Sequence, residues 1–156
     1  MTFDIEEVRQ YIINSSHESK IYIGGDSERI KLPNGKWVAD YATVVVIHID
    51  GKHGAKIFGE VTREPDFDHR IARPSLRLMN EVYKVAELYF KLAECIGSRM
   101  TEIHLDLNPD ERHGSSCVVT QAVGYILGTC NIKAQVKPNA FAASIAADRF
   151  KALAAA

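Results

Sequence analysis

The 156-residue sequence lacks several features that would have named a function class at once. Its formal net charge is −1, so no global basic field announces nucleic acid, although a local patch is enough for binding. No apolar run approaches the roughly 20 residues that span a bilayer. The opening MTFDIEEVRQ is acidic and amphipathic, unlike a secretory leader. Cysteine is scarce: Cys95, Cys117 and Cys130 form no close-spaced metal pair. An odd count without a leader suggests reduced thiols, small core residues and a cytoplasmic setting. There is no internal repeat and no long linker. What is present is ordinary for one soluble domain with a real core: 46% hydrophobic and 25% charged residues.

Hydrophobic spacing orders the chain. Phe3, Ile5, Val8, Tyr11 and Ile12 predict a helix over 3–14. Residues 20–26 predict a first strand. The turn Pro33-Asn34-Gly35-Lys36 joins it to a β-branched run from Trp37 to Ile49. Asp50-Gly51 marks a second turn, and 55–61 a third strand. The period then changes. Leu78, Met79, Val82, Val85, Ala86, Tyr89, Leu92 and Ile96 predict a long amphipathic helix opened by Pro74 and closed by Gly97. TEIHLDL (101–107) reads as a strand. Ser115 or Ser116 can cap a helix ended by Gly128, and NIKAQV (131–136) reads as a fifth strand. Residues 139–153 predict an alanine-rich helix. The expected architecture is a single α/β domain over 1–156, with a 20–153 core. Its mixed five-stranded sheet runs β-β-β-α-β-α-β-α, flanked by helices, with an extra N-terminal helix.

Four acids stand out by position. Asp26 ends the first expected strand, straight after Gly24-Gly25. A sharp Asx turn is the plain reading; a carboxylate held at a strand tip is the other. Glu81 lies on the long helix in a stripe with Arg73 and Arg77, which a solvated ion-pair ladder also explains. Asp106 sits near the C-terminal end of the fourth expected strand, where open α/β sheets place ligands, though Asp106, Asn108 and Asp110 also suit a polar loop. Asp148 shares a helical face with Phe141, Ser144 and Ile145. If Phe141 and Ile145 face the core, Asp148 comes to the packed side and needs a partner.

The set is more specific than its members. IYIGGDSE (21–28), RLMNEV (77–82), IHLDLN (103–108), VGYILG (123–128) and KPNAFAASIAADR (137–149) resemble the YkuK-type ribonuclease H-like family, over roughly residues 20–150. The resemblance implies a ribonuclease H-like fold and a metal-dependent nuclease, a phosphodiesterase acting on nucleic acid. It implies Asp26, Glu81, Asp106 and Asp148 as catalytic ligands of two magnesium or manganese ions. The residue types agree with the chemistry, because hard cations prefer oxygen donors and two such ions activate water and stabilise a leaving oxygen.

Asp26-Ser27-Glu28 also looks like the D-x-E opening of related proofreading-type exonucleases, which makes Glu28 the alternative second acid. Those enzymes carry Tyr or His four residues before the last aspartate; here Ser144 stands there. Ser27, Arg73, Arg77, Lys137 and Ser144 are the substrate-binding candidates. His104 faces the same side as Asp106, but histidine on a strand is more often structural. Ser115 and Ser116 could present an anion-binding helix N-terminus, with plain capping the default. The fold also hosts proteins that bind without cutting, so a nucleic-acid- or protein-binding module is the competing expectation, and a nucleotide phosphohydrolase a third. A homo-oligomer is compatible with either.

Overall fold

A computed structural model describes residues 2–68, 72–147 and 149–151. Helix α1, Ile5–Asn14, begins where Asp4 accepts the Glu6 N–H (2.9 Å). Three strands follow as an antiparallel meander: β1 (Lys20–Lys31), β2 (Trp37–His48) and β3 (Ala55–Pro65). Helix α2, Ser75–Ile96, leads to β4, Thr101–Leu105, which pairs with β1 in parallel. A short 3-10 turn, Gly114–Val118, runs into α3, Val119–Cys130. A π-helical segment, Ala142–Ala147, completes the order. The sheet order is β3-β2-β1-β4, the central β1 being covered on both faces.

The pleat separates two cores. Odd-numbered β1 residues Ile21 and Ile23 join Val45 and Ile47 beneath α1, α2 and α3. Even-numbered Tyr22 faces the other way, with Val44 and Val46, against Ala142, Ala146 and Ala147 of the π-helical segment. The two glycines of β1 serve one face each. A Cβ on Gly24 would stand 2.7–2.9 Å from the Ala142–Ala143 backbone, and one on Gly25 would stand 2.6 Å from a Val85 methyl. Both helical layers approach β1 more closely there than a side chain permits.

Several expectations need correction. The first strand does not stop at Asp26 but continues to Lys31, so Asp26 is inside a strand. Among the described residues the sheet has four strands, not five. Residues 131–136 run beside β4 but make only one bridge, His104 to Gln135, between the left-handed Asn131 and Pro138. Three backbone hydrogen bonds, at Leu105, Gln135 and Lys137, complete their pairing, too few for a strand. Helix α3 has no side-chain cap, passes Gly128 and ends at Cys130, with Asn131 taking the left-handed cap position.

The alanine-rich segment turns a different face inward from the one its spacing predicted. Ile145 (59% exposed) points outward and Phe141 (43%) is only half-buried, against Tyr22 and His104, while Ala142, Ala143, Ala146 and Ala147 are buried. The π-helical winding changes the phase, and only alanines fit against the bare backbone at Gly24. Asp148, expected on the same face as Phe141 and Ile145, lies outside the described residues.

Candidate functional site

Three of the four expected acids come together. Asp26 is on the π-helical side of β1, and Asp106 follows β4 on the same side, as the alternation past buried Ile103 and Leu105 requires. The two carboxyls are neighbours, and Asp106 is among the causes that raise the Asp26 pKa. Glu81 approaches from α2, on the opposite face. It can do so because Gly25 has no side chain: a Cβ there would lie 3.5 Å from the Glu81 Cγ. Ser27, also on that face, donates its hydroxyl to Glu81 Oε2 (2.6 Å), and its N–H donates to Asp26 Oδ1 (2.8 Å). Ser27 thus ties the two acids to one strand.

Burial makes this arrangement costly without a cation. Glu81 is 1% exposed and Asp26 6%. Loss of solvent, then the neighbouring Asp26 charge, pushes the Glu81 carboxyl up to about 8. Loss of solvent, then the neighbouring Asp106 carboxyl, push Asp26 up to about 7, against the opposing pull of Lys151. Glu81 Oε1 is buried with no hydrogen-bond partner. The Lys137 ammonium stands 3.0 Å from Asp106 Oδ1, at ion-pair distance but without hydrogen-bond alignment. Lys137 is held there by its own N–H, which donates to Leu107 O (3.0 Å). Lys151 Nζ is 2.7 Å from Asp26 Oδ2.

The donor set consists of carboxylate oxygens, the type hard cations take. Among the described residues, however, no three His, Cys, Asp or Glu side chains are already arranged around one point as a metal site. The orphaned Glu81 oxygen and the two raised carboxyls are the features that suit a cation.

The chain matches a family model described as Ribonuclease H-like over residues 4–152. It belongs to the ribonuclease H-like family. No curated protein and no solved structure matches it. Within this ribonuclease H-like chain, the remaining expected residues divide. Glu28 is exposed, beyond Asp26 on β1. Ser144 donates its hydroxyl to Ala140 O (2.8 Å) within its own helical turn. Arg77 lies in the first turn of α2, its Nε buried without a partner. Arg73 is exposed and lines an open cleft of about 650 Å³ with Pro109, Ser116 and Thr120. Ser115 accepts the Asn108 N–H (2.9 Å), bracing the loop after Asp106.

His104 is 1% exposed and its Nδ1 accepts the Ala142 N–H (3.1 Å). It packs in a ring cluster with Tyr22 and Phe141, and burial lowers its pKa, so it acts as a neutral tether of the π-helical segment. Two contributors were not anticipated. Asp68 accepts the Leu76 and Arg77 N–H groups (2.9 and 2.8 Å) and so caps α2 from a distant loop. The other is Lys151, whose ammonium meets Asp26.

Proposed function

We propose that this chain is a divalent-metal-dependent nuclease that hydrolyses phosphodiester bonds in nucleic acid. The observation that carries the reading is Glu81. A carboxylate 1% exposed, with an unpartnered oxygen beside Asp26 and Asp106, is stable as an anion only next to a cation. Asp26, Glu81 and Asp106 are the proposed ligands, joined by Asp148 from the family resemblance. Magnesium or manganese bound there supplies charge stabilisation and an acidified water.

The chain's own residues do the rest. Ser27 orients Asp26 and Glu81 through its N–H and hydroxyl. Lys137, 41% exposed, is the cation best placed to meet a phosphate oxygen beside Asp106. Arg73 and Arg77 would engage the neighbouring backbone, and Ser27 and Ser144 are further substrate contacts in this reading. Glu28 remains the alternative acid.

A binding module without turnover is the second reading. It is favoured by the lysines, since Lys137 and Lys151 already face Asp106 and Asp26. The two readings part in an assay of single-stranded, duplex, hybrid and branched substrates with magnesium or manganese. Cleavage that falls at least about 100-fold in Asp26→Asn and in Asp106→Asn, with the fold intact, supports the nuclease. Binding without cleavage supports the module, and hydrolysis of free nucleotides alone supports a phosphohydrolase.

A further inference from the structure

Lys151 is placed more firmly than a surface lysine. Its side chain and that of Asp26 are each 9% exposed, and their ion pair measures 2.7 Å. The preceding residue anchors it: the Phe150 ring occupies the space over Gly59 of β3 that a Cβ would fill. Further back, the Ala142–Ala143 backbone is seated on Gly24. The segment carrying Lys151 is thus fixed to β1 and β3, and the ammonium is delivered to Asp26.

This bears on how many cations the acids can take. Each carboxylate oxygen has two lone-pair directions, and one taken by an ammonium is closed to a metal ion. Asp26 Oδ1 accepts the Ser27 N–H and Oδ2 meets Lys151. Glu81 Oε1 has no partner, and Asp106 Oδ1 has only the Lys137 ion pair. At Asp26 the Lys151 ammonium already supplies, from within the chain, a positive charge that a metal ion would otherwise bring.

We propose that the Lys151 ammonium takes the place of a second metal ion at Asp26, so that this chain works with a single divalent cation. The inference rests on the reading above that the acids bind a divalent metal. Lys151 is then a residue of the site itself, supplying fixed positive charge beside the acid that a metal would otherwise neutralise.

The test is manganese stoichiometry, by titration calorimetry and native mass spectrometry on the full chain. Wild type should take up one ion. Lys151→Met should take up a second, with the two manganese ions spin-coupled by electron paramagnetic resonance, while Lys151→Arg stays at one. The manganese dependence of cleavage should change from first order to second order in Lys151→Met. Two ions in wild type, a result that needs no variant, would overturn the inference and leave the metal-dependent reading standing. One ion in a folded Lys151→Met would also overturn it. No uptake at millimolar manganese would overturn the metal-dependent reading itself, and the inference with it.

Discussion

Glu81 and Asp26 carry a direct consequence for stability. Both carboxyls are held above the range they have in an unfolded chain, Glu81 to about 8 and Asp26 to about 7. Between their unfolded and folded pKa values the folded state holds the extra protons. Stability is therefore full in acid and is lost as pH rises through the folded values. Without metal, the protein should be less stable near pH 8 than near pH 5. Urea unfolding in a chelator measures this, and Glu81→Gln, which keeps the shape without the charge, should flatten the dependence. A wild-type protein more stable at the higher pH would contradict the burial argument for Glu81. A steep dependence left unchanged in Glu81→Gln would assign the effect to Asp26 instead. Lys137 and Lys151 limit the penalty at Asp106 and Asp26, but Glu81 Oε1 has no such partner.

At the scale of elements, the two glycines of β1 make separable predictions. A Gly25→Ala methyl meets the side chain of Val85, so Val85→Ala should rescue it by vacating that space. A Gly24→Ala methyl meets backbone at Ala142 and Ala143, and no side-chain truncation can make room. Gly24→Ala should cost about 1–3 kcal/mol by denaturant unfolding and push the π-helical segment off the sheet. Rescue of Gly24→Ala by a small residue at position 85 would show that the two faces have been assigned the wrong way round. These glycines also mark how far the sequence could be read. The meander, α2 and its Gly97 end follow from turn residues and from apolar periods that only one element type satisfies. The clustering of Asp26, Glu81 and Asp106 was implied by the family resemblance, and the parallel pairing of β1 with β4 is what brings Asp26 and Asp106 together. The phase of the alanine-rich segment was not legible. Apolar Phe141 and Ile145 outweigh alanines in any periodicity argument, yet the deciding factor is a close approach to Gly24 from 118 residues earlier in the chain. The same holds for residues 131–136, whose composition suits a strand but whose span beside β4 is too short to complete one.

For the whole molecule, the site is where all the layers meet. Glu81 comes from the helical layer, Asp26 and Asp106 from the sheet, and Lys151 from the segment behind it. A cation bound there would bridge α2 to β1 and β4, and so act on global unfolding rather than on one loop. Ligand that binds only the folded state stabilises by about 2.7 kcal/mol at a hundred times its dissociation constant. For a chain of this size that is a rise in melting temperature of about 5–10 °C. Manganese should therefore raise the melting temperature of wild type by that amount, and a chelator should reverse it. In Asp26→Asn the rise should shrink, although the variant loses one source of carboxylate repulsion and starts from a stability of its own. Calcium, which accepts oxygen donors but tolerates looser geometry, gives the discriminating arm. Stabilisation by calcium without cleavage would mean that charge at Glu81 suffices for folding and that catalysis needs the smaller ion. An unchanged melting temperature with every divalent ion would leave Lys137 and Lys151 as the permanent counter-ions and favour the binding module.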